Sequence, residues 1–172
     1  MYPPEDLLLT TPFVCDNVAA AQKIAKSTGH ITTIFGFAEP IEDKIYNSAA
    51  VTNHYRIVDT YQKIHLPNYG VFDEKRYFRS AEDSSILNFT YQEKIWKIGI
   101  TICEDIWVEQ CLQNEKILGK DPIESLEKEK LDLLINLSAS PFIQSKKLIR
   151  QQVAAKAAIR LSCPVIYVNQ IG

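Results

Sequence analysis

Two stretches of this 172-residue chain combine residue types that could make and break a covalent bond. The first is Gly99-Ile100-Thr101-Ile102-Cys103-Glu104-Asp105-Ile106-Trp107. A β-branched apolar run leads into a cysteine followed by two carboxylates. This is the pattern of a strand delivering a thiol to a strand-to-helix turn. Such a turn would expose the sulfur at the sheet edge, while a helix N-terminus would lower the thiol pKa and offer backbone N–H groups to an oxyanion. The chemistry would be nucleophilic acyl transfer. A buried core thiol fits the same segment, since free cysteine is among the most buried residue types. The acidic pair disfavours a thiolate, so a nucleophile here requires a nearby cation.

The second stretch is Tyr61-Gln62-Lys63-Ile64-His65-Leu66-Pro67. Lys63 stands where a strand ends and an aromatic-rich loop begins. A lysine held beside a thiol stabilises both the thiolate and a later oxyanion, and a solvated surface lysine fits the same pattern. Spacing alone does not show that Lys63 and Cys103 meet. Ser140, just before Pro141, reads on its own as a turn residue.

The elements that must position these residues follow from periodicity. Residues 12–28 place Phe13, Val14, Val18, Ala21, Ile24 and Ala25 at helical spacing, with Gly29 as the stop. Ile31 to Phe37 reads as a buried strand, and 45–52 with 55–61 as a hairpin around Asn53-His54. Residues 64–80 mix Pro67, Asn68, Gly70 and Asp73 with aromatics and read as an ordered loop. A second hairpin is expected over 85–91 and 94–102, then a helix near 105–113 and a solvated helical excursion over 114–130. Leu131 to Leu137 and Pro164 to Val168 read as buried strands. Lys146 to Ser162 between them reads as a helix with Leu148, Val153, Ala157 and Ile159 partly buried. Helices that bury one face against strands imply a layered α/β fold, and the hairpins imply a mixed sheet.

Composition bounds the function classes. Apolar residues make up 46% and charged residues 23%, ordinary for a soluble domain, and the length suffices for one sizeable core. A net charge of −2 favours neither nucleic acid nor an anionic membrane surface. No apolar run approaches the roughly 18 residues of a membrane span. The N-terminal residues lack the basic and apolar regions of a signal peptide. Cys15, Cys103, Cys111 and Cys163 form no CxxC, and with His30, His54 and His65 they suggest neither a disulfide framework nor a metal cluster. Free thiols in a cytoplasmic setting are the expectation.

Five stretches, in the same order, resemble the glutaminase domain of the glutamine-dependent NAD synthetases, within the nitrilase (carbon–nitrogen hydrolase) superfamily. They are Tyr2-Pro3-Pro4-Glu5-Asp6-Leu7-Leu8, the run from Tyr61 to Phe78 containing HLPNYGVFDE, GITICEDIW, Asn136-Leu137-Ser138-Ala139-Ser140-Pro141-Phe142, and Tyr167-Val168-Asn169-Gln170. The resemblance implies a nitrilase-like αββα sandwich with mixed sheets and a Glu-Lys-Cys triad. Cys103 matches the nucleophile, Lys63 the triad lysine, and Glu74 a second glutamate that helps position Lys63. Tyr69 matches a residue lining the glutamine pocket. Glu104 and Ser140 match positions contacting the amino-acid end of glutamine, Lys146 a basic residue near that end, and Tyr2 an aromatic at the pocket mouth. The resemblance further implies glutamine as substrate, no metal or cofactor for the amidase step, and ATP and Mg in a partner synthetase domain. It also implies assembly into a homo-oligomer.

The family's general-base glutamate lies in a Phe-Pro-Glu type segment upstream of the Tyr-Pro-Pro motif, and no match to it occurs here. Glu5 belongs to the later motif. Nor is there a Gly-rich phosphate-binding loop. The 172 residues are therefore expected to form an incomplete sandwich: part of a carbon–nitrogen hydrolase domain, cut at both ends, without the synthetase domain and weak or inactive alone. A stand-alone nitrilase-family amidase and a non-catalytic fragment or pseudoenzyme are the alternatives.

Overall fold

The computed structural model describes residues 4–84, 86–107, 111–112, 115–116, 120–141, 144 and 146–170. They fall into two compact units, Tyr2–Ala81 and Glu82–Gly172.

In the first unit a short 3-10 helix, Glu5–Leu9, leads into helix α1, Thr11–Thr28. Pro12 sits in the first turn of α1, where its missing N–H costs nothing, and Gly29 ends the helix at φ +64°. Val14, Ala21 and Ala25 form the buried stripe of α1. Three antiparallel strands follow, β1 (Thr33–Ile41), β2 (Lys44–Asn53) and β3 (Arg56–Gln62), in the order β1-β2-β3, and α1 packs on all three. Ser48 to Thr52 of β2 are all buried, so the central strand is covered on both faces. The expectation for β1 needs correcting. The strand begins at Thr33, not Ile31, and runs on to Ile41; Ile31 is largely exposed, and Ala38 is its one buried residue. An edge strand paired on one side does not need the apolar coverage of a central one. The turn between β2 and β3 is His54-Tyr55, both at positive φ, one residue later than expected. The 64–80 loop is irregular except for one helical turn, α2, Glu74–Tyr77.

In the second unit β4 (Ile86–Tyr91) and β5 (Lys94–Ile102) form a hairpin. β5 then pairs in parallel with a strand further along the chain. Before it come two short antiparallel strands, β6 (Cys111–Leu112) and β7 (Glu115–Lys116), and helix α3, Pro122–Glu127. Asp121 caps α3, accepting from the N–H groups of Ile123 and Glu124 at 2.8 and 3.2 Å. Strand β8 (Leu133–Ser138), helix α4 (Lys146–Leu161) and strand β9 (Val165–Asn169) complete a four-stranded sheet ordered β4-β5-β8-β9. β5–β8 and β8–β9 are parallel, so this sheet is mixed, in line with the sequence. Its core gathers Ile106, Trp107, Ile123, Leu126, Leu131, Leu134, Val153, Ala157 and Leu161. Gly99 is a packing requirement. A Cβ there would lie 2.6 Å from Leu131 Cδ1 and 3.0 Å from Leu134 Cδ1.

Three expectations fail in this unit. The helix near 105–113 is instead a four-residue 3-10 turn, Cys103–Ile106, and residues 111–112 are strand; residues 108–110 lie outside the described ones. Among the described residues of the 114–130 excursion, helix is confined to Pro122–Glu127; residues 114 and 117–119 lie outside the described ones. On α4, Leu148 and Ile159 are 63% and 78% exposed, since the inward stripe runs through Val153, Ala157 and Leu161. Among the described residues no helix is long and apolar enough to cross a membrane.

Candidate active site

In the first unit Lys63 directly follows β3 and is 1% exposed. Its Nζ donates to both carboxylate oxygens of Glu74, at 2.9 and 2.8 Å. Glu74 is itself buried, at the start of α2, where its backbone N–H donates to the Pro67 carbonyl at 3.0 Å. Asn47 of β2 touches both members of this pair. Its carbonyl accepts from the Lys63 N–H at 2.9 Å, and its side-chain amide donates to Glu74 Oε2 at 3.4 Å. A fully dehydrated ammonium is tolerable only when paired and hydrogen-bonded in this way. Tyr69 is half-buried in the same loop, its ring 5.9 Å edge-on from Phe72.

In the second unit Cys103 stands at the carboxyl end of β5, partly exposed and with φ +51°. A non-glycine residue in this left-handed region carries strain. Two bonds hold it there. Asp105 Oδ2 accepts from the Ile102 N–H at 3.0 Å, and the fully buried Asn136 on β8 donates to the Cys103 carbonyl at 3.3 Å. Asn136 is fixed in turn, donating to Thr101 Oγ1 at 3.0 Å and accepting from Ser138 Oγ at 2.8 Å. The four-residue 3-10 turn is too short to supply the helix-terminus field that the sequence suggested for the thiol. Strand geometry, not a helix dipole, presents this sulfur.

Glu104 and Asp105 are buried behind Cys103. Ser140, after β8, is also buried. Its N–H donates to Asn169 Oδ1 at 3.0 Å, and its carbonyl accepts from Arg150 Nη2 at 2.9 Å. Lys146 opens α4, its Nζ 5.8 Å from the centre of the Trp107 ring. Burial and the nearby Arg150 lower the Lys146 pKa, while Cys103 and Glu104 oppose that shift. Burial raises the Tyr167 pKa; Ser138 and Trp107 lie close enough to damp that rise, yet the hydroxyl reaches no partner in hydrogen-bond geometry. Parallel strands gather their functional groups at their carboxyl ends, and Cys103, Ser140 and Asn169 sit at or just beyond the ends of β5, β8 and β9.

Lys63, Tyr69 and Glu74 therefore belong to the first unit, and Cys103, Glu104, Ser140 and Lys146 to the second. Tyr2 and Phe142 lie outside the described residues. Among the described residues no cluster of three or more His, Cys, Asp or Glu side chains could hold a metal ion. Asn47, Arg150, Asn136 and Asn169 had no role assigned from sequence. Asn136 and Asn169 lie within family-like stretches, which was the available signal. Arg150 and Asn47 had none.

The carbon–nitrogen hydrolase family model matches residues 15–172. The chain belongs to the carbon–nitrogen hydrolases. Within this family of enzymes, the chain is 38% identical to the glutamine-dependent NAD(+) synthetase of Thermotoga maritima and 37% identical to that of Synechocystis sp., each over 99% of its own length. It spans only 28% and 31% of those two proteins. Its fold superposes on a glutamine-dependent NAD+ synthetase from Acinetobacter baumannii, solved with ADP, with a TM-score of 0.83 and 35% identity. That match covers all of this chain and 30% of the other. The α/β architecture of this chain is thus that of the family.

Proposed function

We propose that the chain forms part of a carbon–nitrogen hydrolase domain that releases ammonia from glutamine, with Cys103 as nucleophile. The observation that carries this reading is a partly exposed thiol, held at φ +51° at the end of a parallel strand, in a chain so similar to glutamine-dependent NAD(+) synthetases. The Cys103 thiolate attacks the side-chain amide carbon of glutamine, forming an S–C bond. Backbone donors near Cys103 stabilise the oxyanion, and the resemblance implies that Lys63, which is paired with Glu74, serves there as the triad lysine. By resemblance, the family's base glutamate, whose segment precedes the Tyr2-Pro3-Pro4 motif, carries the thiol proton to the departing nitrogen. The C–N bond breaks, ammonia leaves, and water cleaves the thioester to give glutamate and restore the thiol. The resemblance implies substrate contacts for Tyr2, Tyr69, Glu104, Ser140 and Lys146. The ammonia then serves a synthetase portion of a longer protein, where ATP and Mg support amidation of a nicotinic acid dinucleotide.

Labelling by 6-diazo-5-oxo-L-norleucine, an electrophilic glutamine analogue, tests the assignment. The adduct should map to the Cys103 peptide and be suppressed by excess L-glutamine. Labelling spread evenly over the cysteines, or insensitive to glutamine, would refute it.

A further inference from the structure

Two imidazoles from positions 24 residues apart meet on the surface of the first unit. His30 follows the Gly29 stop of α1, and His54 is the first residue of the turn between β2 and β3. Both are exposed, and their Nδ1 atoms lie 3.0 Å apart. The ring planes are nearly perpendicular, at 83°, with centroids 5.0 Å apart. The Tyr55 ring stands edge-on to His30, its centroid 5.1 Å away.

The backbone on either side of the pair is tied together. The Tyr55 N–H donates to the Gly29 carbonyl at 2.9 Å, and Asn53 Nδ2 donates to Thr32 Oγ1 at 3.0 Å. Thr28 Oγ1 and Thr52 Oγ1 share a hydrogen bond of 3.2 Å, and Asn53 Oδ1 accepts from the His54 N–H at 2.7 Å. The separation of the two imidazoles is therefore set by the fold, not by two freely rotating surface side chains. The turn is also strained. A two-residue hairpin turn with both residues at positive φ favours Asn-Gly, whereas here His54 and Tyr55 hold φ +48° and +64°. Strain of this kind gathers at functional positions.

A contact between two Nδ1 atoms holds one proton, so one ring donates and the other offers its lone pair. Two imidazole nitrogens bound side by side to one metal ion at about 2.0–2.1 Å stand roughly 2.9–3.4 Å apart, from right-angled to tetrahedral geometry. The observed 3.0 Å falls in that span. A metal ion would take the place of the shared proton. That proton moves to Nε2 of its own ring, which leaves both rings neutral and both Nδ1 lone pairs available. Neutral imidazole selects Cu²⁺, Ni²⁺ and Zn²⁺ over the oxygen-seeking Mg²⁺ and Ca²⁺. Among the described residues no third His, Cys, Asp or Glu completes the set, so water fills the remaining positions.

We infer that His30 and His54 form a two-imidazole site for a divalent transition-metal ion, which joins the end of α1 to the β2–β3 turn. Nothing in this site depends on the role proposed for Cys103.

Ni²⁺ is the probe, added to the chain without an affinity tag. Isothermal titration calorimetry should show one equivalent bound, and Mg²⁺ should not bind. Paramagnetic Ni²⁺ should first broaden the amide NMR signals of residues 29–31 and 53–56. H30Q and H54N should each weaken binding by about a hundredfold, because the second donor no longer acts within the same molecule. Asparagine tolerates positive φ, so H54N keeps the turn; should it unfold, H30Q carries the comparison. C15S removes an exposed thiol and should leave the affinity unchanged. Affinity unchanged in either folded histidine variant, a fall in C15S as large as that in H30Q, broadening centred on other residues, or an equal response to Mg²⁺ overturns the site.

Discussion

Removing Glu74 while leaving Lys63 in place should be among the most damaging single changes in the first unit. The ion pair is 2.8 Å long, and both partners are almost wholly buried. At an effective dielectric of about 20 that separation corresponds to roughly 6 kcal/mol of attraction. Dehydrating each ion costs several kcal/mol, so the intact pair comes close to neutral overall. Glu74→Leu deletes the attraction and leaves the dehydrated ammonium behind. The expected loss is about 3–5 kcal/mol, a fall in melting temperature of roughly 10 °C or more for a chain of this size. The double variant Lys63→Met/Glu74→Leu removes both charges and should recover to within about 1 kcal/mol of the parent. Urea unfolding followed by circular dichroism, run as a double-mutant cycle, measures both quantities. A loss below about 1 kcal/mol for Glu74→Leu would mean that Lys63 finds water in solution. Additive losses in the double variant would mean that the pair acts through packing rather than charge. Either outcome refutes the argument.

Three further substitutions probe the second unit. Cys103→Gly should be more stable than Cys103→Ala by about 1 kcal/mol, because glycine removes the left-handed strain at φ +51°; equal urea midpoints would show that the turn relaxes. Gly99→Ala should cost about 1–3 kcal/mol in the same assay, since its Cβ would meet Leu131 Cδ1 at 2.6 Å and Leu134 Cδ1 at 3.0 Å, both flexible side-chain ends that can give only partly. Lys146 has a folded-state pKa below its unfolded value, so between the two the unfolded chain binds more protons and stability rises with pH. Lys146→Met should therefore melt higher than the parent at neutral pH, with the gap closing as pH climbs toward 10.5; a gap constant with pH would assign the gain to packing.

Legibility from sequence followed the range of the interactions. Strands β2, β4, β5, β8 and β9 and helices α1 and α4 were readable within a residue or two, because one-sided burial writes a period into the chain. The helix expected near 105–113 was misread for a local reason. Acidic residues after a strand resemble a helix start, but Asp105 folds back onto the Ile102 N–H and closes a single 3-10 turn instead. Cys103 and Lys63 were singled out by the family-like stretches that contain them, because spacing alone fits a core thiol and a solvated lysine equally well, and the 1% exposure of Lys63 is not written in any periodicity. Asn47 was not. It matters through one carbonyl and one amide brought to Lys63 and Glu74 by the pairing of β2 with β3, and no spacing along the chain encodes that. Arg150 was hidden similarly, since a basic residue in a helix reads as solvated until the stripe running through Val153 and Ala157 shows which way it faces.

The strain at Cys103 and the unpaired donors around it have one physical meaning. A left-handed cysteine costs about 1–2 kcal/mol that a glycine would not. It persists because Asn136 and Asp105 hold the carbonyl of Cys103 and the N–H of Ile102 on either side of the thiol. Buried donors without acceptors at Arg150, Trp107 and Tyr167 add a second cost that apolar side chains of similar shape would avoid. Neither feature helps the fold: the strained residue stands at the carboxyl end of β5, where a glycine would remove the strain, and Trp107 and Tyr167 lie in and against the core of the same unit. Strain and unpaired buried donors gather at functional sites more than elsewhere, in keeping with the role proposed for Cys103.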